Sequence, residues 1–147
     1  MRRLSLAVLL VLGLLRGADA LTPTPVQSVY FDGWHAKLDD AARATLAEIA
    51  ADPPNGRWYV VAGYTDASHP APEGRDLAQS RARAAAAELV RLGVPPVLVH
   101  VRGDDGPPVN DQPVGAPGVV DRRANRVAIW ICYATAPVCA DVWRRAP

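Results

Sequence analysis

The chain has 147 residues, 50% of them hydrophobic, 21% charged and 6% aromatic. That balance excludes a disordered chain, a collagen-like repeat and a polytopic membrane protein, and the length suits one compact domain. Sixteen basic residues against 15 acidic ones leave a formal charge of +1, so no cationic field is present to neutralise a phosphate backbone, and nucleic acid is not an expected partner.

Residues 1–20 have the parts of a secretory signal: Arg2 and Arg3, an apolar run from Leu4 to Leu15, and Ala18-Asp19-Ala20 as a small-x-small cleavage site. The run is shorter than the roughly 20 residues that cross a bilayer. Cleavage after Ala20 is expected, with an uncleaved anchor as the competing reading. No cysteine follows the signal, so an N-terminal lipid is not expected. Both cysteines, Cys132 and Cys139, lie near the C-terminus and are expected to form a disulfide in an oxidising compartment.

After a Pro/Thr-rich leader over residues 21–25, Val26 to Phe31 reads as a strand ending at Asp32-Gly33. Leu38, Ala42, Leu46 and Ile49 then make one apolar helical face, with Asp39 and Asp40 in the first turn, and Asp52-Pro53-Pro54-Asn55-Gly56 stops the helix. Trp58 to Tyr64 is an almost unbroken apolar run, as in a strand buried on both faces. A second helix is predicted from about Arg75 to Leu92, ended by Gly93 in the left-handed cap position. Val97 to Val101 and Val127 to Ile131 complete the strands. Between them, residues 103–120 are rich in Pro, Gly and Asp and too long for an ordinary connection. The expected fold is α+β: a two-layer β-α-β-α-β-β sandwich with two helices on one mixed four-stranded sheet. The expected domain covers residues 26–133 and is followed by a tail over 134–147.

On a helical wheel Arg81 shares one side of the second helix with Leu77, Ala85, Glu88, Leu89 and Leu92, so it points toward the sheet. A desolvated guanidinium left unpaired costs several kcal/mol. Its candidate partners are Glu88 on the same face and Asp66 just beyond the Trp58–Tyr64 strand. Two readings stay open. Arg81 and a carboxylate form a structural salt bridge, or Asp66 and Arg81 flank one pocket and bind a zwitterion, carboxylate to ammonium and guanidinium to carboxylate.

These residues carry a family pattern. Val29-Tyr30-Phe31-Asp32 resembles V-x-F-D, Gly63-Tyr64-Thr65-Asp66 resembles G-H-T-D, and Leu77 to Ala82 resembles L-S-x-x-R-A, with the turn aspartate and helix arginine 15 residues apart as in the pattern. Downstream, Leu92-Gly93-Val94-Pro95, Val101-Arg102-Gly103 and Arg122 to Val127 resemble the remaining connections and the N-R-R-V that opens the last strand. Over about Val29 to Trp130 the chain resembles the OmpA-like peptidoglycan-binding domain of outer membrane protein A, the peptidoglycan-associated lipoprotein and MotB. The resemblance implies a non-catalytic periplasmic domain that binds the diaminopimelate of the peptidoglycan stem peptide, with Asp66 on its ammonium and Arg81 on its carboxylate. It extends the ligand-binding set to Thr65, Asn125 and Arg126, with Tyr64, His69 and Gly74 as candidate pocket rim. The departures are Tyr64 for the histidine of G-H-T-D, His69 for a glycine, Gly74 for an asparagine, Ala78 for a serine and Asn125 for the first arginine of N-R-R-V. Relatives hold membrane to wall through a barrel, lipid or membrane helix of their own, so this chain is expected to reach a membrane through an outer-membrane or other envelope protein.

An enzyme is not expected: His35, His69 and His100 stand singly, without a nucleophile–base pair or ligands at metal spacing. No metal or cofactor is implied, although His69 lies three residues after Asp66. His100 is expected to face solvent. Trp34, Trp58, Trp130 and Trp143 read as glycan-stacking faces or as core and rim packing, with Trp143, Arg144 and Arg145 as a candidate protein contact. The alternative function is an envelope protein-interaction module of the same fold that has lost peptidoglycan binding.

Overall fold

The computed structural model describes residues 26–52, 57–68, 72–102, 118–133 and 139. The expected signal peptide and leader, His69, most of the 103–120 loop, and the tail other than Cys139 lie outside the described residues.

Strand β1 (Val26–Tyr30), helix α1 (Asp40–Ala51), strand β2 (Arg57–Tyr64), helix α2 (Glu73–Arg91), a 3-10 turn (Pro96–Leu98), strand β3 (Val99–Val101) and strand β4 (Arg126–Tyr133) follow in that order. The strands form one mixed sheet in the order β1-β4-β2-β3. β4 lies antiparallel to both β1 and β2, and β3 runs parallel to β2. The expected two-layer α+β sandwich is what the chain adopts.

Alternation along the strands divides the sheet into two apolar faces. Val29, Tyr59, Val61, Val127 and Ile129 meet Leu46, Ile49, Ala82, Ala85 and Leu89 of the helices in the main core. The opposite face buries Val60 and Cys132 with Cys139, and Ala62 with Tyr64 and Ala128, with Trp58 and Trp130 packed alongside. Cys132 and Cys139 form the expected disulfide, their Cα atoms 5.6 Å apart. His100, expected in solvent, is half-buried on this second face, in register with Val60.

Local chemistry sets the helix ends. Asp39 is the N-cap of α1 rather than part of its first turn, its carboxylate accepting the Ala42 N–H at 2.7 Å. α2 begins two residues before the predicted start, because the Pro72 carbonyl accepts from Arg75 and Asp76 and the acidic Glu73 and Asp76 suit the helix dipole. At its other end Gly93 takes φ +101°, Gly93 N–H bonds to Val90 O and Val94 N–H to Leu89 O, a Schellman closure that tucks Val94 into the core. The last predicted strands also shift: residues 96–98 form the 3-10 turn, which shortens β3, while β4 runs on to Tyr133.

Glu88 corrects a sequence expectation. It is not the partner of Arg81; it holds Arg91 at 2.8 and 2.6 Å and reaches across to Arg43 of α1 at 3.1 Å. The Arg91 hydrogen bonds, with the charges of Arg91 and Arg43, outweigh burial and draw the Glu88 carboxyl down to about 2. A carboxylate held below its unfolded value stabilises the fold fully above that value and loses its contribution as pH falls through the folded one. The stability gap between wild type and Glu88→Gln is therefore expected to hold from neutrality to about pH 5 and to shrink toward pH 2, read from urea unfolding at each pH.

Gly63 is where β2 and α2 touch backbone to backbone: a Cβ there would lie 1.8 Å from the Ala78 carbonyl oxygen. Gly63→Ala must push α2 off the sheet and is expected to destabilise the protein by about 2 kcal/mol or more in the same unfolding assay.

Candidate functional site

Tyr30 and Tyr64 both pair with Arg126. The C-terminal ends of β1 and β2 and the N-terminal end of β4 thus share one end of the sheet, and the segments leaving them converge there. α2 crosses the same end and delivers Arg81.

Arg81 and Asp66 are both 0% exposed. Arg81 Nε donates to the His35 carbonyl at 3.1 Å, Nη2 to the Gly33 carbonyl at 2.6 Å, and Nη1 to the Tyr64 carbonyl at 3.4 Å and to Asn125 Oδ1 at 2.8 Å. Its charge also lies over the Phe31 ring, 5.1 Å from the centroid. Burial pushes the guanidinium below its ordinary pKa, and the charge of Asp66 works against that shift. The Asp66 carboxylate accepts from the Ser68 N–H at 3.1 Å, the Ser68 hydroxyl, the Asp121 N–H at 2.7 Å and Asn125 Nδ2 at 2.6 Å.

The two charges therefore meet through Asn125. None of the hydrogen bonds of Arg81 goes to Asp66, so the direct salt bridge that the sequence allowed gives way to a bridge through a neutral amide. Thr65 lies beside this centre, its hydroxyl donating to the Gly74 carbonyl at 3.2 Å and so tying the β2 turn to the start of α2. Gly74, expected at a rim, is buried in the first turn of α2.

Arg126 is not brought to the pair. Val127 faces the helices, so alternation along β4 turns Arg126 to the other face, where its guanidinium lies 4.9 Å from the Tyr64 ring centroid and its Nη1 donates to the Arg123 carbonyl. Tyr64 contributes its carbonyl to Arg81, while its phenol, buried on the far face, is raised above its ordinary pKa against the pull of Arg102 and Arg126. Phe31, Gly33, His35, Ser68 and Asp121 are the site residues that sequence reasoning missed. Most of them act through backbone groups, which any residue carries, and the F-D pair of the opening strand was the available signal for Phe31.

Among the described residues no group of three or more His, Cys, Asp or Glu is placed to hold a metal ion, and no described helix is long and apolar enough to cross a membrane. Trp58 and Trp130 serve as packing, while Trp34 is 60% exposed between Gly33 and His35, two of the residues whose carbonyls hold Arg81.

A two-helix layer on a mixed sheet, with a buried carboxylate and guanidinium at one end, defines a small α+β domain whose polar chemistry is concentrated at one point. The OmpA family model matches residues 30–116, and the chain belongs to the OmpA family. No protein with a curated description matches it. Among solved structures, the periplasmic domain of Helicobacter pylori MotB is similar with a TM-score of 0.55 at 18% identity, over 81% of this chain and 89% of that one. The OmpA-like domain of FopA1 from Francisella tularensis subsp. tularensis SCHU S4 is similar with a TM-score of 0.56 at 21% identity, over 75% of each. The peptidoglycan-associated lipoprotein from Burkholderia pseudomallei reaches 27% identity with a TM-score of 0.54, over 71% of this chain and 88% of that one.

Arg81→Met would leave the Gly33, His35 and Tyr64 carbonyls and Asn125 Oδ1 without their shared donor, and is expected to destabilise the fold by about 3–5 kcal/mol. Arg81→Lys keeps the charge and several donors and is expected to lose less than half as much, measured by urea unfolding.

Proposed function

We propose that this protein is a non-catalytic, periplasmic cell-wall-binding domain. It takes hold of peptidoglycan through the diaminopimelate of the stem peptide, with Asp66 receiving the ammonium and Arg81 the carboxylate, and so contributes to the organisation of the cell envelope. The observation that carries the reading is a buried carboxylate and a buried guanidinium joined by a neutral amide rather than by each other. Family membership supports it, as does likeness to a protein named for its association with peptidoglycan. The Cys132–Cys139 disulfide and the signal-like N-terminus agree with an oxidising compartment outside the cytoplasm. An outer-membrane or other envelope protein would supply the link to a membrane.

The groups on the pair nearest the surface belong to connecting segments: Ser68 and Asp121 on Asp66, Gly33 and His35 on Arg81. A zwitterion enters by replacing those contacts, its charges making stronger hydrogen bonds than the neutral groups they displace.

The complete enclosure of both charges favours a second reading, an envelope protein-interaction module in which the network is only structural. Replacing Asp66 and Arg81 by apolar residues does not separate the two readings, since that change orphans the carbonyls of Gly33, His35 and Tyr64 under either. Co-sedimentation with diaminopimelate-containing sacculi does, using wild type beside Asp66→Asn and Arg81→Lys, each verified as folded by circular dichroism. Pelleting of wild type with loss in both variants is expected. Pelleting of none selects the interaction module, and equal pelleting of all three overturns the roles given to Asp66 and Arg81.

A further inference from the structure

Asn125 lies between two buried opposite charges with each end of its amide matched to its neighbour: Oδ1 accepts from Arg81 at 2.8 Å and Nδ2 donates to Asp66 at 2.6 Å. Its backbone is held as well, its carbonyl accepting the Phe31 N–H at 2.9 Å and its N–H reaching the Asp121 carbonyl at 3.3 Å. This bridge is the deep side of the pair. Asn125 is 4% exposed and both of its charged contacts are buried, whereas Ser68, Asp121, Gly33 and His35 meet the pair through partly buried contacts.

Few side chains could do this. Leucine offers neither polar group, aspartate cannot donate to a second carboxylate, and arginine, the residue of the family pattern at this place, cannot accept from Arg81. Opposite charges in a water-poor interior attract strongly. Without a spacer of the right polarity, the guanidinium and carboxylate would close on each other, and each would use up the face a ligand needs. The amide carries its N–H donor and oxygen acceptor on one carbon. An amino-acid zwitterion likewise carries ammonium and carboxylate on the two ends of one short bridge.

We infer that Asn125 is a positioning residue, an amide spacer that keeps the Asp66 carboxylate and the Arg81 guanidinium from closing on each other, so that a ligand displacing the outer contacts of Ser68, Asp121, Gly33 and His35 meets two separate charges. The inference rests on the binding reading above and names what turns a would-be structural ion pair into a binding pair. It makes Asn125 a support for the ligand groups rather than a contact of the ligand.

The test is isothermal titration of the protein with the tripeptide L-alanyl-γ-D-glutamyl-meso-diaminopimelate, and with the same tripeptide amidated at the free diaminopimelate carboxyl. Wild type is compared with Asn125→Leu and Asn125→Asp, each verified as folded by cooperative unfolding. Wild type is expected to bind and to prefer the free carboxylate. Both variants are expected to weaken by about tenfold or more, with the preference falling toward unity because Arg81, drawn away, no longer reads the carboxylate. A folded variant with wild-type affinity, or with weaker binding and an intact preference, overturns the inference and leaves Asn125 a structural role. Should Asn125→Leu fail to fold, the near-isosteric Asn125→Asp decides. A wild type that binds neither peptide overturns the binding reading itself, and this inference with it, which keeps the two failures apart.

Discussion

Once the Arg81 guanidinium leaves water, each of its nitrogens needs an acceptor, because a buried charge without partners costs more than most single interactions in a small domain can offset. The acceptors here come from segments far apart in sequence: the turn after β1, the end of β2 and the residue before β4. Irregular segments at the end of the sheet thereby acquire defined positions without regular structure of their own. Phe31 adds its ring beneath the charge, so the start of the first turn is held by stacking as well as by hydrogen bonds. Asp66 organises the other half in the same way, drawing the Ser68 and Asp121 N–H groups onto its carboxylate.

The fold makes this convergence geometrically cheap. β4 lies between β1 and β2 and runs antiparallel to both, so the end of β1, the end of β2 and the beginning of β4 share one edge. α2 reaches the same edge because Gly63 lets it approach β2 to backbone contact, and the closure around Gly93 returns the chain to the core. Glu88, shared between Arg43 and Arg91, ties α2 to α1 about two turns beyond Arg81. Fold stability and site geometry thus depend on the same helix. Two of its acceptable inward polar residues perform different tasks: Glu88 joins helix to helix, and Arg81 joins helix to loops.

The second face of the sheet is separate in character. It is apolar, it holds the disulfide, and its aromatic residues pack around Val60 and Cys132. Arg126 belongs to this face despite its closeness in sequence to Asn125, and the two neighbours answer to different halves of the molecule. One residue of register along β4 separates a group joined to the buried pair from one stacked on Tyr64.

Much of this architecture was legible from local pattern. The apolar stripe of α1, the glycine that closes α2, the doubly buried β2 and the inward direction of Arg81 all follow from periodicities and caps that act within a few residues. The sequence by itself determined that this chain is an OmpA-family α+β domain with a charged group turned inward. It did not determine who meets that group. Glu88 on the wheel and Asp66 beyond β2 were both candidates; Glu88 went to Arg91 three residues along its own helix and, through the packing of α1 beside α2, to Arg43. Asn125 carried a family label for ligand contact, yet its place between the two charges follows from the strand order that brings β4 between β1 and β2. The carbonyls of Gly33, His35 and Tyr64 carry no signal in residue type at all, since every residue has one. Partner choice across long sequence separations is decided by tertiary structure, because hydrogen-bond satisfaction is a property of the atoms brought together and not of the order in which they are joined.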